Sequence, residues 1–516
     1  VAELVTESGA SRQAVAALGR KGLVEVARRR GGRDPHGAET FLPDQRPRLT
    51  PEQAAALEAI APALDAPRGA RPFLLHGVTG SGKTEIYLRA LERVLGHGRT
   101  AIVLVPEISL TPQTVERFKS RFAEIQGEVA VLHSYLSDGE RHDEWHKIHD
   151  RRARIVIGPR SAVFAPLGEL GLIIVDEEHE TSYKQEETPR YNARDIAVVR
   201  GAREGCAVVL GSATPSHESY HNARRGKYHL LELNERIDGR RMPFIRIIDM
   251  RLQSRGKRRE VISERLRQAL GQRLERGEQS ILFLNRRGFS TSLSCEVCGH
   301  VCECVHCSLP LTYHRGRDRL VCHLCGYSAP APDRCPSCAD PRIRHAGSGT
   351  EKVEDAARRI FPQARIARMD ADTMTRKHSY SETLGAFRAR KIDILIGTQM
   401  IAKGLHFPNV TLVGIVLADV GLQMADFRAS ERTFQLLLQV AGRAGRGEVD
   451  GEVFVQSFTP HHPAIQFARH HAYRDFFDQD DEFRRAFGFP PHTHMALVTV
   501  RSRDDAAARH IAGRLA

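Results

Sequence analysis

The sequence predicts an α/β fold in which two α/β lobes follow one another and the second is interrupted by a nested, cysteine-rich insertion. Three observations predict it. Strand-like apolar runs alternate with helix-like segments on both sides of a polar divide, a phosphate-binding loop opens the first half, and four Cys-x-x-Cys pairs break into the second. At 516 residues the chain exceeds what one core usually serves, and 41% hydrophobic content suits packed globular units. No apolar run approaches the roughly 18 to 20 residues of a membrane span, so a soluble protein without a membrane partner is expected. The formal charge of +13 favours a polyanionic partner. Two zinc–thiolate sites would lower it by roughly four units.

From the start of the chain, Ser11 to Lys21 reads as a helix, Gly22 as a turn and Leu23 to Val26 as a strand. That pattern fits the end of a winged helix or a small helical linker, and residues 1–40 are assigned to it. Both ends of the chain, Val1 and the helix-like Asp504 to Ala516, are expected to be cut points. The first lobe is expected over 41–235, with strands at Phe73–His76, Ile102–Val105, Ile155–Ile157, Ile173–Asp176 and Val208–Leu210. The basic stretch Arg236 to Arg241 is the divide. The second lobe takes 236–290 and 343–460, with strands at Ile281–Leu284, Arg365–Met369, Ile394–Ile396, Leu412–Leu417 and Val453–Val455. The insertion fills 291–342, and 461–516 is read as a linker and the start of a further domain. Trp145, the one tryptophan, is expected to serve core or helix packing.

Within the first lobe, Gly77-Val78-Thr79-Gly80-Ser81-Gly82-Lys83-Thr84-Glu85 follows a strand and opens a helix, the context of a phosphate loop. Its glycines Gly77, Gly80 and Gly82 let backbone N–H groups wrap phosphates of ATP. Lys83 should reach the β- and γ-phosphates, and Thr84 should ligate Mg²⁺, with Glu85 beside them. Leu172–Val175 delivers Asp176 and Glu177 at a strand's C-terminal end, where doubly wound sheets place their chemistry. Asp176 would hold Mg²⁺ and Glu177 would orient and deprotonate the attacking water. An acidic surface turn is the bland alternative.

The cysteine pairs are Cys295/Cys298, Cys304/Cys307, Cys322/Cys325 and Cys335/Cys338. Two-residue spacing lets two thiolates reach one ion from a tight turn, so eight ligands suffice for two closed tetrahedral Zn²⁺ sites. The rest of the chain reads as an intracellular ATPase, where thiols stay reduced, which favours metal over disulfides. The 14 residues between Cys307 and Cys322 match a zinc ribbon, which leaves the outer pairs for a second ion and nests one ribbon inside the other. Sequential pairing remains the alternative. Cys302 is a spare thiol, and His300, His306 and His323 are solvated histidines or substitute ligands.

The order of motifs resembles a superfamily 2 helicase or translocase. Leu49-Thr50-Pro51-Glu52-Gln53 looks like its adenine-reading segment, with Gln53 as the hydrogen-bonding residue. Gly211-Ser212-Ala213-Thr214 resembles its coupling motif, and Gln439-Val-Ala-Gly-Arg443-Ala-Gly-Arg446 its closing one. Two arginines three apart on one helix face would meet the γ-phosphate from the second lobe. Such a resemblance implies two RecA-like lobes with ATP between them.

Val105-Pro-Glu-Ile-Ser-Leu-Thr111, Gly158 to Pro166 and Gly397-Thr-Gln-Met-Ile-Ala-Lys403-Gly404, together with an eight-cysteine insertion just after Asn285-Arg-Arg-Gly288, make the likeness specific. The chain resembles the PriA family of primosomal replication-restart helicases from about Phe41 onward. Gly404 would then join the nucleotide site. The resemblance implies an ATP-dependent 3′→5′ DNA helicase using ATP, Mg²⁺ and two Zn²⁺, which recognises and remodels stalled forks and initiates primosome assembly in the bacterial cytoplasm, near the nucleoid. It also implies forked DNA, single-stranded DNA-binding protein and other primosome proteins as partners. A loop with Tyr183, Lys184, Arg190, Tyr191 and Arg194 looks like the family's aromatic-rich segment that links DNA binding to hydrolysis. Phe489-Pro490-Pro491-His492 and the alternating Met495–Val500 resemble the start of its C-terminal α+β domain. A fork-binding scaffold with a silent motor, and an RNA helicase or duplex translocase, are the rival readings.

Overall fold

The computed structural model describes residues 11–24, 46–66, 71–107, 112–134, 136–237, 239, 242–253, 260–285, 292–295, 297–314, 318–345, 350–370, 373–374, 379–398, 400–401, 407–445, 451–498, 500, 502 and 504–515. In the first lobe the strands are β1 (Phe73–Gly77), β2 (Thr100–Leu104), β3 (Val129–Val131), β4 (Ile155–Gly158), β5 (Leu170–Asp176), the hairpin strands β6 (Lys184–Gln185) and β7 (Tyr191–Asn192), then β8 (Ala207–Ser212) and β9 (His229–Leu233). Seven of them form one parallel sheet in the order β3-β4-β2-β5-β8-β1-β9. Strands read as unbroken apolar runs because helices cover both faces. Alternate side chains go to opposite cores: Ile173 and Val175 to one, Leu172 and Ile174 to the other.

The second lobe repeats the plan. β10 (Phe244–Asp249) and β11 (Gln279–Leu284) precede the insertion, whose strands are β12 (Leu293–Cys295), β13 (Thr312–His314), β14 (Arg319–Val321), β15 (Ser328–Pro330) and β16 (Ile343–His345). After it come β17 (Ile366–Met369), β18 (Ile394–Gly397), β19 (Val410–Val416) and β20 (Glu452–Ser457). The parallel order is β10-β20-β19-β11-β18-β17. β12 pairs antiparallel with β16, closing the stem on which the insertion stands. One buried cluster runs through both lobes, joining Ile173 to Phe283, Phe434 and Phe476, so the lobes share a core face.

The stretch after residue 460, expected as a linker and the start of a further domain, forms helices Pro463–Arg469 and Tyr473–Ala486, which pack on both lobes. Phe476 stacks on Phe434 at 4.2 Å. Phe489 completes the small core of the insertion with Leu293, Leu311 and Leu320. The alternating Met495–Val500 run does not form a strand among the described residues; Leu497 is 81% exposed. Alternation makes a strand only where a neighbouring strand supplies hydrogen bonds. Helix Arg12–Arg20 and the turn at Gly22 are present, whereas Leu23 and Val24 form no strand and the rest of that expected strand lies outside the described residues. Trp145 is not core: it is 46% exposed and stacks on His149 along its own helix.

Candidate active site and metal centres

β1 runs into the phosphate loop, and helix Lys83–Gly96 starts from Gly82, whose left-handed φ of 80° glycine adopts without strain. Lys83 Nζ donates to the Gly77 carbonyl at 2.6 Å, which aims the amine back over the loop. Beside it, β5 ends at Asp176. Tyr87 donates its hydroxyl to Asp176 Oδ1 at 3.0 Å, and Tyr183 donates to the Asp176 carbonyl at 2.7 Å. Burial and the adjacent Glu177 charge push the Asp176 carboxyl up to about 6, against the pull of Lys83. Glu177 holds a left-handed φ of 47°, turning the chain sharply as it leaves the strand.

A cavity of about 780 Å³ opens here. The first lobe contributes Thr79, Gly80, Gly82, Lys83, Thr84, Asp176 and Glu177 to its wall, and the second lobe contributes Gln439 and Arg443. His471 to Asp475, just before and within the helix after the second lobe, close another side. Sequence reasoning missed that wall, because nothing in its residue types marks a nucleotide pocket. The lobes touch directly: Gln439 Nε2 donates to Glu180 Oε1 at 3.4 Å, and a Cβ on Gly442 would lie 2.8 Å from Thr79 Cγ2. Gln53 is buried, caps its own helix through Thr50, and donates to the Ser81 carbonyl at 2.8 Å, so it braces the loop from behind. Arg446 and Gly404 lie outside the described residues.

Three expected site residues face elsewhere. Glu85 is directed away from the cavity, since Arg121 and Arg89 grip its buried carboxylate at 2.7 and 2.9 Å. Tyr183 is buried to 1% exposure and tied to Asp176, so its ring is not open to a base. Arg194 is buried in a network with Ser216, Asp195 and Glu178, at 2.6, 2.8 and 3.4 Å. Glu178 in turn accepts from the Ser216 amide at 2.6 Å and from the Ser219 hydroxyl at 2.7 Å, fastening the acidic turn to the segment after β8. In the β6–β7 hairpin, Lys184 and Arg190 are exposed, and Tyr191 packs edge-on against Phe164. A second groove of about 450 Å³ lies between the lobes, lined by Arg160, Ser182, Lys184, Asn285, Arg432 and Gln439. Gln439 therefore lines both spaces.

In the insertion, the thiols of Cys295, Cys298, Cys335 and Cys338 gather in one cluster, and those of Cys304, Cys307, Cys322 and Cys325 in another, each within 4.8 Å. The nested arrangement is the one observed. Sγ separations of 3.6 Å (Cys295 to Cys338), 3.5 Å (Cys298 to Cys335) and 3.5 Å (Cys304 to Cys325) approach the edge of about 3.8 Å expected for a tetrahedron of thiolates about 2.3 Å from zinc. All four turns share one construction. The amide of each leading cysteine (Cys295, Cys304, Cys322, Cys335) donates to the carbonyl five residues on, and the amide four residues on donates back to that cysteine's carbonyl. That fourth residue is left-handed every time: Gly299, Ser308, Gly326 and Ala339. Backbone hydrogen bonding from Tyr327 draws the Cys325 thiol down to about 7, toward the thiolate a metal needs. Cys302 joins neither cluster; burial among Leu309 and Leu311 pushes its thiol up to about 11. His300, His306 and His323 also stand outside both.

Residues 50–223 match the DEAD/DEAH box helicase model, 304–330 the PriA DNA helicase Cys-rich region, and 346–448 the helicase conserved C-terminal domain. The replication restart protein PriA of Bacillus subtilis (strain 168) is 49% identical over 515 residues, all of this chain and 64% of that protein. The chain thus spans less than two thirds of that relative. The replication restart protein PriA of Treponema pallidum (strain Nichols) is 45% identical over 464 residues, 90% of this chain and 69% of its own length. A solved structure of RecG bound to a three-way DNA junction shares the fold, with a TM-score of 0.50 and 18% identity over 91% of this chain and 50% of that one. Two parallel α/β lobes, a helicase match on each and a cysteine-rich insertion with the family's own signature lead to one conclusion: this chain belongs to the replication restart protein PriA family.

Proposed function

We propose that the chain is the motor of an ATP-dependent DNA helicase that acts at stalled replication forks, translocates 3′→5′ and starts primosome assembly. The single observation that carries this reading is the shared cavity, where the phosphate loop and Asp176–Glu177 of one lobe face Gln439 and Arg443 of the other. Lys83 would bind the phosphates, Thr84 and Asp176 would hold Mg²⁺, and Glu177 would orient and deprotonate water. Arg443 would place positive charge where it develops in the transition state, and Arg446 is assigned the same role. Mg²⁺, when bound, supplies charge neutralisation of the phosphates. Gln53 reads the base or, from its contact with Ser81, sets the loop's shape.

Coupling to DNA is assigned to Gln439, because it borders both the nucleotide cavity and the interlobe groove that carries Arg160, Lys184 and Arg432. Lys184 and Arg190 would contact backbone phosphates, with Tyr191 supporting the hairpin. The eight cysteines would hold two Zn²⁺ in a structural role, since four thiolates leave no position for an activated water. Single-stranded DNA-binding protein and other primosome proteins are the partners that family membership favours, in the bacterial cytoplasm at the nucleoid. Among the described residues no helix is long and apolar enough to cross a membrane. Unwinding of a forked DNA compared with an RNA duplex tests the assignment: faster unwinding of the fork supports it, and a marked preference for RNA overturns it.

A further inference from the structure

Beyond the cysteine clusters, one group of metal-ligating side chains is drawn from three separate segments. His221 projects from helix His217–Arg224 of the first lobe, Asp481 from helix Tyr473–Ala486 after the second lobe, and His492 from the Phe489–His492 segment. His492 Nε2 lies 2.9 Å and His221 Nδ1 3.8 Å from the same oxygen, Asp481 Oδ1. Ligands about 2.1 Å from a tetrahedral ion stand about 3.4 Å apart, midway between those separations. The side chains are 16%, 9% and 17% exposed for His221, Asp481 and His492, so the group is sheltered yet reachable by an ion. Arg485 donates to the other carboxylate oxygen, Asp481 Oδ2, at 3.1 Å, fixing the orientation in which Oδ1 faces the histidines.

We infer that His221, Asp481 and His492 form a third metal site, for a divalent transition-metal ion that accepts imidazole nitrogen and carboxylate oxygen. A hydrogen-bonded pair at the surface needs only His492 and Asp481. The additional turn of His221 toward the same oxygen, with the rings of His221 and His492 5.1 Å apart, is what an ion would exploit. The neighbouring residue Asp480 points inward to His217 Nε2 at 3.0 Å, so His217 and His221, one turn apart, meet two consecutive aspartates. An ion at the outer pair would staple the helix after the second lobe to the first lobe, at the place where the two halves of the motor are tied.

The test is cobalt titration of the full chain with both cysteine clusters already filled with zinc. The expected result is one further Co²⁺ per chain with weak visible bands and no thiolate-to-metal charge transfer, and a rise in melting temperature. His221→Gln and His492→Gln should each weaken that ion at least about tenfold and abolish the rise, while keeping both zinc ions. His149→Gln, in the His146, His149, Asp150 group on another helix, should leave it unchanged. No third ion in the parent, or a third ion that persists in both His221→Gln and His492→Gln, overturns the site. Zinc counts and melting curves of the two variants separate a lost ligand from a lost fold.

Discussion

Gly442 closes the second lobe's helix Ala429–Ala441 against Thr79 of the first lobe's phosphate loop, so tightly that a Cβ would stand 2.8 Å from Thr79 Cγ2. The glycine lets the helix end that carries Gln439, and that leads into Arg443, approach the nucleotide cavity from across the cleft. Catalysis by charge placed from a second lobe depends on that distance.

Gly442→Ala should therefore lower ATP hydrolysis about ten- to a hundred-fold while each lobe stays folded. Steady-state ATPase assays beside a melting curve check it. An unchanged rate with unchanged stability would mean that the lobes do not close on this contact.

Arg484 is wholly buried, with Nη2 2.7 Å from Glu431 Oε2 and Nε 2.8 Å from Asp480 Oδ2. Glu431 also accepts from the His217 amide at 3.0 Å, so one cation holds together the first lobe, the second lobe and the helix that follows. Arg484→Met strands two buried carboxylates and should destabilise the protein by about 3–5 kcal/mol in denaturant unfolding. A cost below about 1 kcal/mol would show that these carboxylates find other partners.

His217 sits in the same network. Burial pulls its imidazole down, but the Glu431 carboxylate 3.5 Å from Nδ1 and the Asp480 carboxylate 3.0 Å from Nε2 outweigh this and the opposing Arg484, so its pKa is raised above 6.5. A raised folded-state value means that stability is fully present below the unfolded pKa and is lost as pH rises through the folded one. Unfolding free energy of the parent should fall as pH rises above about 6.5 more steeply than that of His217→Gln. Glu431 is held well below the usual carboxylate range, outside this window. Parallel pH profiles for parent and variant would refute the coupling.

Exposed and buried cations of the β6–β7 region should separate cleanly. Lys184→Ala and Arg190→Ala should weaken DNA binding and each reduce the salt slope by about one, with stability unchanged. Arg194→Met should instead cost about 2 kcal/mol or more of stability, because it opens the buried Glu178 network. Salt-dependent binding curves and melts decide this, and a reduced salt slope for Arg194→Met at unchanged stability would reverse the assignment.

Gly299 shows how far sequence could lead. Its place four residues after Cys295 is legible as part of a metal turn, but that a Cβ would meet the Phe458 carbonyl at 2.3 Å, seating the insertion on the end of β20, is not. Strands β1, β5 and β19 and the phosphate loop were readable because local pattern determines them, while spacing favoured nested over sequential cysteine pairs and only the two thiol clusters decide it. Side-chain direction was not. Glu85 follows the phosphate loop yet answers to Arg121, which is 36 residues away in sequence, and Tyr183 spends its hydroxyl on Asp176. Residues 473–486 fall in the stretch read as a linker and the start of a further domain; only the fold reveals a helix whose Asp480 and Arg484 are buried against partners from both lobes.

One cleft should hydrolyse ATP in response to DNA. The ATPase rate with and without forked DNA, in parent and Lys83→Ala, reads this in protein that extends through the full length of its relatives. Strong stimulation of the parent by the fork is expected, with no hydrolysis by Lys83→Ala despite largely retained DNA binding. Equal rates with and without DNA in the parent, or equal rates for parent and Lys83→Ala, would contradict it.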